Sequence, residues 1–164
     1  MKNAPRPYDD MIDSRDLIEL SEEQESDLQA TFDEWIDELV EEAREANKEG
    51  GLPFDEDEFR DKQMTFEAWL EENGEDSDVE EYVELKRFID EIRDCSGDSP
   101  EDGAQLIAES YFEKYAEQLA DDVFGIRNAS AWPFCHIDWD AAADALKTDY
   151  SEATWDGNTF LVRS

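Results

Sequence analysis

The chain has 164 residues, 48 of them acidic and 14 basic, for a net charge of −34. A surface this negative excludes nucleic acid and anionic membranes as direct partners, and favours a cationic partner or a salt-rich solvent. Hydrophilic, highly charged chains tend to disorder, but five Trp, five Tyr and nine Phe at helical spacing supply a modest core, so the chain reads as one folded domain or two small ones.

Residues 1–12, with Pro5 and Pro7, are expected to lack regular structure. Asp13 or Ser14 caps a short helix through Leu17, Ile18 and Leu20, and Ser21 to Gln24 forms a capping box for a long one. That long helix runs to about Lys48, with Leu28, Phe32, Trp35, Ile36, Leu39, Val40 and Ala43 on one stripe, and stops at Gly50-Gly51 before Pro53. A second helix is predicted in "DEDEFRDKQMTFEAWLEENG", with Phe59, Phe66, Trp69 and Leu70 as its apolar side. Ser77 to Glu80 forms another capping box and opens a third helix, in which Val79, Tyr82, Val83, Phe88, Ile89 and Ile92 face inward.

The stretch "CSGDSPEDG" is the clearest break, with Ser99 as a cap and Pro100 at the first helical position, where a missing N–H costs nothing. A fourth helix is predicted over about 100–124, burying Ile107, Tyr111, Tyr115, Leu119 and Val123. "GIRNASAWPF" reads as a loop, and Asp138 caps a short helix over "DWDAAADALK". Asp156-Gly157 between two β-compatible runs is the signature of a two-residue hairpin. The expected fold is therefore α+β and mostly α-helical. It comprises a flexible segment 1–12, an acidic helical region 13–97, and a C-terminal module 98–164 of small helix and hairpin.

Little in the chain points to catalysis. His136 is the only histidine, and a partly buried histidine with a local hydrogen bond outweighs a catalytic pairing with Cys135 or Asp138. Cys95 and Cys135 lie far apart without metal spacing and fit a reducing cytosol as well as one disulfide. The acid runs at Asp55–Phe59 and Asp76–Asp78 lack the glycine and later glutamate of a calcium loop, so weak divalent binding is expected and a dedicated metal or cofactor is not. Trp132, Trp139 and Trp155 read as core of the C-terminal module. The start carries no apolar signal region and no stretch has transmembrane length, which makes the cytoplasm the expected location.

The charge is uneven. Residues 9–49 hold 17 acids against 3 bases and residues 55–102 hold 20 against 5, whereas residues 103–164 hold 11 against 4. In "DEWIDELVEE", residues 33–42, pairs of acids alternate with pairs of apolar residues, which a helix places on opposite faces. Such a face is a stiff rod of regular negative charge, as duplex DNA is, and a DNA-binding groove reads phosphate without sequence information. The residues assigned to this role are the acids of the first and third helices: Asp33, Glu34, Asp37, Glu38, Glu41, Glu42, Glu80, Glu81, Glu84, Asp90 and Glu91.

The C-terminal third, "ESYFEKYAEQLADDVFGI" followed by "WPFCHIDWDAAADALKTDYSEATWDGNTFLVR", resembles the C-terminal region of ArdA-type antirestriction proteins of phages and conjugative elements. Ile137-Asp138-Trp139 before "AAADALKTDY", and the Asp156-Gly157 hairpin, carry most of the resemblance, which covers about the last 55 residues. "MIDSRDLIE" is similar to the opening of the short phage members. The resemblance implies a non-enzymatic, DNA-mimicking inhibitor, often dimeric, that occupies the DNA-binding groove of a type I restriction–modification enzyme. Two alternatives stay open: a DNA mimic aimed at a CRISPR nuclease, a glycosylase or a chromatin-like protein, and a salt-adapted acidic adaptor.

Overall fold

The computed structural model describes residues 4–50, 54–97, 99–125 and 131–164, with side chains of the first segment to Lys48. Among these the protein is mostly α-helical with one four-stranded antiparallel sheet, an α+β fold as expected. It divides into two compact units, residues 1–21 with 84–164, and residues 22–83. The boundary expected near residue 97 lies inside the first unit.

The sheet of the first unit comprises β1 (Met11–Asp13), β2 (Gln105–Ala108), β3 (Tyr150–Trp155) and β4 (Asn158–Arg163), in the order β1-β2-β4-β3. Residues 11–13 thus form an edge strand, Met11 opposite Ile107 and Asp13 opposite Gln105, where part of an irregular segment was expected. The pleat sends alternate residues to opposite faces. On one face Ile12, Leu106, Ala108, Ala153, Phe160 and Val162 pack on Leu85, Phe88, Ile89 and Ile92 of α4 (Ser77–Cys95) and on Leu17 near the start of α1 (Ser14–Gly50). Phe88 stacks on Trp155 at 5.4 Å between ring centroids. On the other face Ile107 and Leu161 pack on Phe112 and Ala116 of α5 (Phe112–Phe124) and on Ala143 of α6 (Trp139–Lys147).

The predicted fourth helix is four elements, with a second 3₁₀ turn at Glu109–Tyr111 between the strand and the helix. Pro100–Asp102 make a single 3₁₀ turn, and Gly103 follows at φ 93°, a left-handed conformation that ends it. The chain then runs as β2 between β1 and β4, with Leu106 buried on one face and Ile107 on the other. A short strand buried on both faces has no alternation to distinguish it from a helical segment. The helix proper starts only at Phe112, so Phe112 and Ala116 are buried while Val123 is 61% exposed. Asp138 caps α6 by accepting the Ala141 N–H at 3.1 Å, as predicted. Asp156 and Gly157 take φ 45° and 73°, the left-handed pair that a type I′ hairpin requires.

The second unit is built on α1, whose Leu28, Phe32, Ile36 and Val40 are buried against Trp69, Val79 and Tyr82. α1 runs unbroken from Ser14 to Gly50. Ser21 is a buried helical residue and not a cap, and the Asp13 carboxylate accepts the Arg15 N–H at 3.0 Å. α1 ends at Gly50, the first residue of the predicted Gly50-Gly51 stop, and Gly51 and Pro53 fall outside the described residues. The single second helix is two, α2 (Glu56–Asp61) and α3 (Phe66–Glu72), because Thr65 caps anew by accepting the Ala68 N–H at 3.3 Å. Trp69 of α3 packs edge-on against Phe32 at 5.8 Å. α4 begins at Ser77, but Asp76 supplies the cap through the Asp78 N–H, and Val83 is 48% exposed where an inward side chain was predicted.

Ile12 is 4% exposed and Val83 faces water, which reverses their expected weights. Ile12→Ala should cost about 2–4 kcal/mol in a urea titration, and Val83→Ala no more than about 0.5 kcal/mol. The opposite ranking would contradict the β1–β2 pairing.

Candidate functional site

The acid strip of α1 is the largest coherent chemical feature of the second unit. Asp33, Glu34, Asp37, Glu38, Glu41 and Glu42 are all exposed, while Phe32, Ile36 and Val40 between them are buried. Burial of one side therefore fixes which way the carboxylates point. At about 1.5 Å per residue the six acids occupy about 15 Å of helix axis, one charge per roughly 2.5 Å. Duplex DNA carries one per about 1.7 Å with both strands counted and about 3.4 Å per strand.

The strip is not uniformly bare. Arg60 of α2 pairs with Asp37 across to α1 and with Glu56 on its own helix at 3.2 Å. Arg44 pairs with Glu41 and, at 2.5 Å, with the same Glu56. The two arginines and three acids make one partly exposed network that ties α2 to α1, and the Arg60 guanidinium is held more basic by its hydrogen bonds to Asp37 and then Glu56. Asp33 accepts a hydrogen bond from the Gln29 amide at 3.0 Å. Glu34, Glu38 and Glu42, at i, i+4 and i+8, make no ion pair among the described residues. They form a row of unneutralised carboxylate along α1.

The acids assigned on α4 divide between the units. Glu80 and Glu81 belong to the second unit. Glu80 is exposed, and Glu81 accepts from the Gln24 amide of α1 at 3.1 Å. Glu84, Asp90 and Glu91 belong to the first unit and have structural work: Asp90 pairs with Arg93 at 2.6 Å, and Glu84 lies 4.0 Å from Arg87. Glu91 accepts the backbone N–H of Thr154 on edge strand β3 at 3.2 Å. The i,i+3 spacing of Asp90 to Arg93 was a signal for pairing; the reach of Glu91 to a strand had none.

The other candidates are dispersed. His136 is exposed in a 3₁₀ turn with the exposed Cys135, where a partly buried histidine was predicted. Cys95 is half-buried and its thiol is pushed up, first by burial and then by Glu91. Trp155 is core, but Trp132 is 79% exposed and Trp139 half-buried, so the three tryptophans are not one core cluster. Residues 126–130 of the predicted loop lie outside the described residues. Among the described residues no group of three His, Cys, Asp or Glu could hold a metal ion, and no helix is long and apolar enough to cross a membrane. Comparison with family models, with curated proteins and with solved structures finds no match.

Like charges at i,i+4 cost about 0.2–0.5 kcal/mol per pair. Replacing Glu34, Glu38 and Glu42 together by Gln should therefore stabilise the protein by about 0.5–1 kcal/mol at low salt, through two such pairs. Thermal melts should lose the gain as ionic strength rises and the charges are screened. An unchanged melting temperature at low salt would mean that the row is neutralised by groups not identified above.

Proposed function

We propose that the protein is a non-enzymatic DNA mimic of the ArdA type. In this reading it acts in the host cytoplasm, alone or as a homodimer, and occupies the basic DNA-binding groove of a type I restriction–modification enzyme. The observation that carries the reading is the row Glu34, Glu38 and Glu42 within the exposed strip 33–42, set on a helix whose other side is anchored by Phe32, Ile36 and Val40. A groove lined by Lys and Arg meets there four acids outside any described ion pair, Asp33, Glu34, Glu38 and Glu42, one per roughly 3.8 Å of axis, close to the about 3.4 Å of a single DNA strand. The carboxylates are already ordered, so binding loses less conformational entropy than a flexible acidic tail would.

The resemblance of residues 109–126 and 132–163 to the ArdA C-terminal region selects restriction as the target. Because charge recognition is spread over many groups, no single acid should be essential.

The test is displacement of labelled duplex DNA from a type I methyltransferase core. Near-stoichiometric displacement is expected, weakening as salt rises. A variant with Asp33, Glu34, Glu38, Glu42, Glu80 and Glu81 changed to Lys should lose displacement while keeping its helical circular dichroism. Each single change to Gln or Asn should leave it within about threefold, since exposed charges each contribute under about 1 kcal/mol. Loss of activity from one such substitution in a folded protein would contradict the reading.

A further inference from the structure

The sheet of the first unit ends in a polar row. Asp13 pairs with Gln105, Arg163 pairs with Tyr150, and Gln105 and Arg163 each lie one residue beyond the Leu106–Val162 pair. Successive residues alternate faces, so these four share the face that carries Ile107 and Leu161, the one covered by α5. Tyr115 of α5 reaches over this end, its hydroxyl 3.2 Å from that of Tyr150. A cavity of about 210 Å³ opens here, with Ser96, Gly103, Gln105, Tyr115, Tyr150 and Arg163 in its wall.

Two properties set this cavity apart. Its lining contains no carboxylate in a chain with 48 of them, whereas the cavities at the α1–α2 groove and beside Gln24 are each lined by acids. Arg163 also forms no ion pair among the described residues; Arg6 forms none either, but its guanidinium is engaged by the Tyr8 hydroxyl, and Arg15, Arg44, Arg60, Arg87 and Arg93 each pair with an acid. Where acids are this abundant, an arginine left without one, beside a cavity that excludes them, keeps its donors for something else. The wall is rich in further donors. Two phenols that share one hydrogen bond leave one O–H to give, and Gln105 offers its amide N–H. Burial, and then Tyr115, hold the Tyr150 phenol in its protonated form.

We propose that this cavity binds the oxyanion group of a small molecule, a carboxylate or a phosphate. The Arg163 guanidinium supplies the charge, and the Tyr115–Tyr150 pair and Gln105 supply neutral donors. A fork of guanidinium N–H groups suits both oxyanions. The volume admits the oxyanion and only a few further atoms. The net charge of the protein opposes any anion, so affinity lies in the millimolar range and depends on ionic strength. The inference is independent of DNA mimicry, since none of these residues lies on the acid strip.

The test is a pair of NMR titrations of the full chain at constant ionic strength, one with inorganic phosphate and one with acetate. Saturable shifts are expected at the Arg163 Nε–H, the Gln105 amide and the Gly103 backbone N–H. Saturation by phosphate alone assigns a phosphate head, and saturation by acetate alone a carboxylate. Arg163→Gln, an exposed position, should weaken binding about tenfold or more with the fold intact. Tyr115→Phe should weaken it several-fold. Shifts that rise linearly with either anion, or that persist unchanged in Arg163→Gln, would overturn the proposal.

Discussion

The second unit depends on burial along one side of α1. Leu28, Phe32, Ile36 and Val40 are each less than a tenth exposed, and Trp69 and Tyr82 close over them. Burying such side chains stabilises by about 1.5–3 kcal/mol each. The repulsion between like charges on the opposite side costs about 0.2–0.5 kcal/mol per neighbouring pair. Burial wins by several-fold, so the helix can carry an acidic face that local electrostatics alone would disfavour. The same arrangement orders the face, because each carboxylate is attached to backbone fixed from behind.

The scarce bases show where the repulsion is relieved. Arg44 and Arg60 converge on Glu56 and hold α2 beside α1, leaving the row Glu34, Glu38 and Glu42 without an ion pair among the described residues. Glu101 is likewise engaged: its carboxyl is lowered to about 2 by the hydrogen bond from Ser99, then by Arg93. Several counter-charges thus join elements, while others, such as Arg87 with Glu84, pair within one helix. Such a distribution suits a protein whose bare acids have a task, and the proposed task is to stand in for phosphates. In the first unit, by contrast, the cavity beside Arg163 is lined by no carboxylate among the described residues.

Elements with strong local signals were legible in the sequence. The stripe of α1, the Asp138 cap and the Asp156-Gly157 turn each involve residues within a few positions of one another. The strands β1 and β2 were not, because three- and four-residue strands are decided by partners far along the chain: Met11 lies opposite Ile107. The helical period running through Ile107, Tyr111 and Tyr115 concealed a strand followed by a later helix start. The unit boundaries followed the same logic, since β1 belongs with a sheet formed mostly by the C-terminal third. For the site, exposure of the α1 acids could be read from periodicity. The hold of Glu91 on Thr154 and the reach of Arg60 to Asp37 needed the tertiary structure.

On this balance the apolar side of α1 holds the acid face in place without help from salt. Circular dichroism at 222 nm, across a series from millimolar to molar sodium chloride, tests it most directly. A fully helical, cooperatively melting protein is expected in dilute buffer, with salt adding only modest stability. A chain that is unfolded at low salt and acquires its helices only in molar salt would contradict it, and would make the acidity an adaptation to brine.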